Sequence, residues 1–176
     1  MRYAKIYEAD ISNGDGIRVT LFVQGCDNHC PGCFNPETWD WDGGKEYTSE
    51  TEEEILRLCD KPYIKGLSIL GGEPISEENI RDVERLCMRF KERFPNKDIW
   101  LWTGTKYIAE ETSEDGESIF SSPDGVILTN VLQYIDHLVD GGFVERLKNI
   151  KLKYRGSSNQ KVYHKIDGEW EEDTTV

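Results

Sequence analysis

Basic side chains are scarce in this sequence. Its 21 lysines and arginines stand against 34 aspartates and glutamates, for a formal net charge of −13. Binding along a phosphate backbone needs a basic stripe, so the balance argues against a nucleic-acid partner. Also missing is any apolar run near the roughly 20 residues a membrane-spanning helix requires. The opening Met1-Arg2-Tyr3-Ala4-Lys5 leads into no apolar core, and the protein is expected to be cytoplasmic, with no membrane partner. There is no internal repeat and no second cysteine set. Five cysteines are an odd number, and three of them fall within eight residues. That distribution suits a metal site in a reducing compartment better than a disulfide framework. The acidic surplus reads as a solubility feature, with an acidic face toward a basic partner as the alternative.

What is present is enough for one domain. A chain of 176 residues can build a real core once but not comfortably twice, so residues 1–176 are expected to form a single domain. Arg18 to Gly25 alternates with period two and is rich in β-branched and aromatic residues, as a buried strand requires. Thr48 to Cys59 reads as a helix with a Ser49/Glu52 capping box and an Ile55, Leu56, Cys59 face. Gly66 to Leu70 is a short strand ending in Gly71-Gly72-Glu73-Pro74. Ser76 is placed to cap the next helix, whose apolar stripe is Ile80, Val83, Leu86, Cys87, Phe90 and Phe94, closed by Pro95. Asp98 to Thr103 is a third strand, followed by Gly104. Further strands are expected at Ile135–Asp140, at Asn149–Lys153 and, as a late edge, at Val162–Ile166. The stretch 109–125 is acidic and aperiodic, the pattern of a surface insertion, and 169–176 is expected to be a frayed tail. Alternation of strand and helix predicts an α/β fold with a mostly parallel sheet flanked by helices. In such sheets ligands gather beyond the carboxyl ends of the strands. Gly25, Gly71 and Gly104 mark that edge.

Cys26-Asp27-Asn28-His29-Cys30-Pro31-Gly32-Cys33 puts three thiols in one tight loop, turned by Pro31-Gly32. Thiolates favour zinc or iron–sulfur clusters. A 4Fe-4S cluster usually takes four cysteines, so three leave one iron open to a ligand. Structural zinc normally closes with four ligands, and His29 inside the same loop is an awkward fourth. Spacing alone therefore leaves an iron–sulfur site, a zinc site and a set of reactive thiols as readings. Cys59 and Cys87 sit on apolar helix faces and are read as core residues.

Cys26-x3-Cys30-x2-Cys33 followed by Gly71-Gly72-Glu73-Pro74 at the next strand end resembles the paired signature of the radical S-adenosylmethionine superfamily. Further local matches narrow the likeness. They are Asp15-Gly16-Ile17-Arg18, Leu21 to Cys26, Cys30 to Asn35, Leu101-Trp102-Thr103-Gly104, Val139-Asp140-Gly141 and Arg155-Gly156-Ser157-Ser158-Asn159-Gln160. Together they resemble the family of anaerobic ribonucleoside-triphosphate reductase activating proteins over most of the chain. Thr105 and Gly142 depart from it, standing where that family more often has an aromatic residue and a proline.

The resemblance implies a partial (open) β/α barrel of the radical S-adenosylmethionine type. It also implies one 4Fe-4S cluster held by Cys26, Cys30 and Cys33, with S-adenosylmethionine chelated at the open iron. Gly71, Gly72 and Glu73 would meet the methionyl end, with Gly32, Cys33 and Phe34 near the adenine. The implied reaction is reductive cleavage of S-adenosylmethionine to a 5′-deoxyadenosyl radical, which generates a glycyl radical on the large subunit of the reductase. A low-potential donor such as flavodoxin would supply the electron. Because the cofactor carries this chemistry, no catalytic acid or base is expected. His137 and His164 are read as ordinary residues. Asp140 is read either as a turn or cap residue or as a contact to cofactor or substrate. Arg155 to Gln160 is read as a partner-facing or cofactor-facing segment, or else a polar turn. The alternatives are an activase of another glycyl-radical enzyme, such as pyruvate formate-lyase, and a non-catalytic zinc or electron-transfer module.

Overall fold

The computed structural model describes residues 1–105 and 130–176; the expected acidic insertion at 109–125 lies outside them. The strands are β1 (Arg2–Asp10), β2 (Arg18–Val23), β3 (Lys45–Glu46), β4 (Gly66–Gly71), β5 (Asp98–Thr103), β6 (His137–Asp140), β7 (Lys161–Ile166) and β8 (Glu169–Glu172), with helices α1 (Ser49–Cys59) and α2 (Ile80–Arg93). They form one sheet in the order β3-β1-β2-β4-β5-β6-β7-β8. Pairing is parallel through the centre, from β2 to β6, and antiparallel on both flanks. The expected mostly parallel sheet is therefore a mixed, open sheet: βαβ crossovers link β2, β4 and β5, and the chain reverses between β1 and β2 and, through the long segment Gly141–Gln160, between β6 and β7.

Period-two alternation sorts the central strands onto two faces. Val19, Leu21 and Val23 of β2, Leu67 and Ile69 of β4, and Ile99 and Leu101 of β5 are buried against the apolar stripes of both described helices. The opposite residues Trp100, Val139 and Val162 form a second, smaller cluster, against which Trp102, Tyr154 and Val176 pack. Among the described residues the helices thus cover one face only. No helix of the described residues is long and apolar enough to cross a membrane.

Several local expectations are corrected. The α1 cap is Thr48, whose hydroxyl accepts from the Thr51 amide while Thr51 returns the bond. Glu52 is unavailable for capping because it is buried under Arg85 (2.9 Å), Arg89 (2.6 Å) and the Tyr47 hydroxyl (3.2 Å). Ser76 does not cap α2 by its side chain; the helix starts at Ile80, after Asn79. Asn149–Lys153 is not a strand. The Asn149 carboxamide accepts from the Lys151 amide at 3.0 Å, curling the segment into turns, and only Lys148 and Ser157 form an isolated bridge. Residues from Glu169 are not frayed but form β8, antiparallel to β7, so β7 is not the edge. Strands β1 and β3 carry no clean alternation: β1 is half-exposed along most of its length, and two-residue β3 is exposed.

Candidate functional site

The cysteine loop is fastened at its stem before any thiol is reached. As β2 ends, the Gln24 amide donates to the Arg2 carbonyl, Gly25 to Thr38 and Cys26 to Trp39, at 2.9, 2.8 and 3.1 Å. The Gln24 carboxamide donates to the Glu37 and Asp40 carbonyls at 3.0 and 2.7 Å. Beyond this stem, the Cys33 amide turns back onto the Cys30 carbonyl at 3.0 Å, closing the Pro31-Gly32 turn. His29 lies against the Trp39 ring, centroids 4.8 Å apart. Burial pushes the Cys26 thiol pKa up, against the pull of the Asn28 and His29 amides. Burial likewise raises Cys30, opposed by the Phe143 amide. Such thiols ionise when a metal takes up the charge.

The glycine motif is stitched to this loop through the main chain. Gly72 donates to the Val23 carbonyl at 2.9 Å and Glu73 to that of Gly25 at 2.8 Å. A Cβ on Gly72 would collide with the Gly25 carbonyl, so only glycine permits this approach. Asn79, at the start of α2, ties the two loops again by donating to the Gln24 and Glu73 carbonyls, both at 3.0 Å. That use of its side chain explains why it leaves the helix uncapped.

Glu73 is the hub. Its Oε1 accepts from the Thr103 hydroxyl at 2.8 Å and the Ile75 amide at 3.4 Å. Its Oε2 accepts from the Gly104 amide at 2.8 Å and the Asn28 carboxamide at 3.2 Å. The carboxyl is almost wholly buried, and desolvation raises its pKa despite these donors. One side chain thereby joins the ends of β2, β4 and β5.

A cavity of about 670 Å³ opens where these loops meet, lined by the three cysteines, Gly71, Gly72, Glu73 and Gly104. Its floor is the helix-free sheet face at Phe22, Leu70 and Trp102, and Phe34 and Ile150 are among its lining. Those two are 58% and 89% exposed. Of the three strand-end glycines, Gly71 and Gly104 line the cavity, while Gly25 lies behind it, its carbonyl accepting from the Glu73 amide. Cys26, Cys30 and Cys33 line it together, although among the described residues no three donor side chains converge on a single-ion position. Gly32 abuts the Glu145 side chain, and the Phe34 ring lies 5.3 Å from that of Phe143 with the Lys148 ammonium 4.8 Å above it. Cys59 and Cys87 are fully buried in the main core, where burial pushes the Cys59 thiol up to about 12. Asp140 is buried at the end of β6. His137 and His164 do not line the cavity: their rings meet Nδ1 to Nδ1, and His164 binds Asp173 at 2.6 Å. Sequence reasoning missed Asn28, Asn79 and Thr103. Polar residues in loops and strand ends carry no periodic signal; only their adjacency to the cysteine and glycine motifs could have marked them.

Comparison with known proteins places this geometry among relatives. Residues 12–163 match a family model described as "4Fe-4S single cluster domain". The chain is 39% identical over 173 residues to the anaerobic ribonucleoside-triphosphate reductase-activating protein of Enterobacteria phage T4, covering 98% of this chain and 100% of that one. It is 39% identical over 166 residues to the protein of that name from Escherichia coli (strain K12), covering 93% and 99%. A third, from Vibrio cholerae, is 39% identical over 165 residues, covering 93% and 97%.

Proposed function

Because this chain belongs to the family of anaerobic ribonucleoside-triphosphate reductase-activating proteins, we propose that it is a radical S-adenosylmethionine activase that installs a glycyl radical on the large subunit of that reductase. The carrying observation is the cavity at which three thiols meet the glycine-bearing ends of β4 and β5.

The residues present fit the cofactors. Three soft thiolates disposed around a cavity, rather than four donors closing on one point, suit a 4Fe-4S cluster with one open iron. A cavity of about 670 Å³ is of the size that holds a small-molecule cofactor. Cys26, Cys30 and Cys33 would hold the cluster. When bound, the cluster and S-adenosylmethionine supply one-electron cleavage of a carbon–sulfur bond and, from it, hydrogen-atom abstraction from a glycine of the reductase.

The protein's own part is positional. Gly71 and Gly72 would let the main chain approach the methionyl end, and Phe34, which lines the cavity, would border the adenine, with Gly32 beside it against Glu145. Glu73 fixes Gly104, Asn28 and the cysteine loop around that cofactor; each of its oxygens already has two protein donors, so a bond from the methionyl ammonium shares an oxygen. The open sheet serves as a shortened form of the partial barrel, a single domain whose side left free of helices among the described residues admits the partner. A low-potential donor such as flavodoxin delivers the electron, in the cytoplasm.

The test is anaerobic reconstitution with iron and sulfide, reduction, and assay for 5′-deoxyadenosine. Wild type should form it, Cys30→Ala should not, and Cys59→Ala should. A reduced, iron-replete wild type that forms none overturns the proposal. Transfer of the radical to the anaerobic reductase but not to pyruvate formate-lyase identifies the partner.

A further inference from the structure

The segment Arg155–Gln160 turns into the protein rather than out of it. Ser157 is fully buried and Gln160 nearly so. The Gln160 carboxamide oxygen accepts from the Gly156 and Ser157 amides at 2.9 and 3.1 Å, which shapes the segment itself. Its nitrogen donates to the Gly141 carbonyl at 2.9 Å. Asn159 donates to the Gly142 carbonyl at 2.8 Å, and the Ser157 hydroxyl accepts from the Val144 amide at 3.1 Å. Three side chains thus grip Gly141, Gly142 and Val144, the residues on either side of Phe143.

Phe143 is the point of contact with the cysteine loop. Its main-chain amide is near enough to the Cys30 thiol to counter the rise in that thiol's pKa, and a Cβ on Gly142 would lie 3.9 Å from Cys30 Sγ. Its ring meets Phe34, which follows Cys33 directly, at 5.3 Å between centroids. A Cβ on Gly156 would stand 2.6 Å from the Phe34 ring and 3.0 Å from the Phe143 ring. The segment therefore backs two of the three cysteines, one through a main-chain amide and one through a ring pair. Neither contact involves a ligating side chain of its own.

We infer that Ser157, Asn159 and Gln160 are positioning residues that press the Gly141–Val144 main chain onto the cysteine loop and thereby set the reduction potential of the cluster. This rests on the cluster assignment proposed above. An N–H aimed at a ligand sulfur stabilises the added negative charge of the reduced state, and outer contacts of this kind hold ligands in place. Releasing Phe143 removes that donor and loosens Cys30.

The experiment uses full-length wild type, Gln160→Glu and Asn159→Ala, each reconstituted anaerobically. Iron content, the reduction midpoint followed by electron paramagnetic resonance, and the rate of iron loss to a chelator are measured. Gln160→Glu keeps both acceptor contacts, loses the donor to Gly141 and adds a carboxyl; Asn159→Ala frees only Gly142 and adds no charge, so it separates positioning from charge, and both report even if larger changes prevent folding. Both variants should take up wild-type iron, titrate at a more negative potential and lose iron several-fold faster. Wild-type potential and wild-type iron loss in Asn159→Ala overturn this inference alone, whatever Gln160→Glu does through its added charge. A wild type that holds no iron–sulfur cluster overturns the assignment beneath it as well.

Discussion

Replacing Arg18 by methionine removes a guanidinium that is fully buried at the start of β2 yet makes polar contacts on all sides. Nε donates to the Ser68 hydroxyl at 2.7 Å, Nη1 to the Asp15 carbonyl at 3.0 Å, and Nη2 to the Leu67 and Asp98 carbonyls at 2.9 and 3.2 Å. Nη2 also lies 2.5 Å from Asp98 Oδ1. That oxygen has no aligned hydrogen bond, so this contact is Coulombic. Burial pushes the Asp98 carboxyl up, but the nearby His137 ring and the Arg18 charge outweigh it and hold the pKa below the usual range. Stranding one partner of a buried pair costs about 3–5 kcal/mol. Asp98 keeps 19% of its side-chain surface exposed and has His137 at 3.6 Å, which favours the low end. Loss of its four hydrogen bonds, to Ser68 and to the Asp15, Leu67 and Asp98 carbonyls, adds at least about 1 kcal/mol more. The expected loss is therefore at least about 4 kcal/mol, a large part of the roughly 5–15 kcal/mol available to a domain. Urea unfolding of the apoprotein at pH 7 measures it. A depressed carboxyl contributes stability above its unfolded pKa, about 3.9, and loses it as pH falls through the folded value. The gap between wild type and Arg18→Met should accordingly narrow below about pH 4, and Asp98→Asn should recover part of the loss. A variant within about 1 kcal/mol of wild type at pH 7, or a gap unchanged on acidification, refutes the reasoning.

Gly72→Ala should destabilise the protein by about 1–3 kcal/mol through overpacking against the Gly25 carbonyl; a thermal melt measures this, and wild-type stability would contradict the close approach. Cys59→Ser should cost about 1–3 kcal/mol by leaving a hydroxyl in the apolar core while iron uptake stays at the wild-type level, whereas Cys33→Ala should lower iron uptake and leave the melt of the apoprotein nearly unchanged. The Thr175 hydroxyl and His164 hold the Asp173 carboxyl at about 2, so its stabilising contribution is present above about 3.9 and is lost as pH falls toward the folded value. A carbon-detected magnetic resonance titration should find that midpoint near 2 and see it rise in His164→Ala; an ordinary value in wild type would rule out the contact.

The central part of the fold was legible because its signals are local and periodic. Arg18–Val23, Gly66–Gly71 and Asp98–Thr103 alternate cleanly, and the α2 stripe from Ile80 to Phe90 declares its buried face. The flanks were not. Lys45–Glu46 is a strand only because Arg2 and Tyr3 lie beside it, and Glu169–Glu172 pairs with β7 although its composition suggests a solvated tail. Asn149–Lys153 shows the reverse failure, an alternating pattern overruled by an Asn149 turn. At the site, the three loop cysteines and the glycines announce themselves by spacing. Asn79 and Gln160 do not, since their roles depend on carbonyls 55 and 19 residues away.

The order of strands across the sheet has a consequence in time. With β3 set aside, each strand of the described residues lies beside the one before it in the chain, so a polypeptide emerging amino-terminus first can add each strand to an edge already laid down. β2, β4 and β5, with Gly25, Gly71 and Gly104 at their ends, leave the ribosome well before Gly141–Gln160. The three thiols are therefore synthesised and framed on the β2–β5 side while the segment that backs Cys30 and Phe34 is still unmade, and the seat is closed from its far side last.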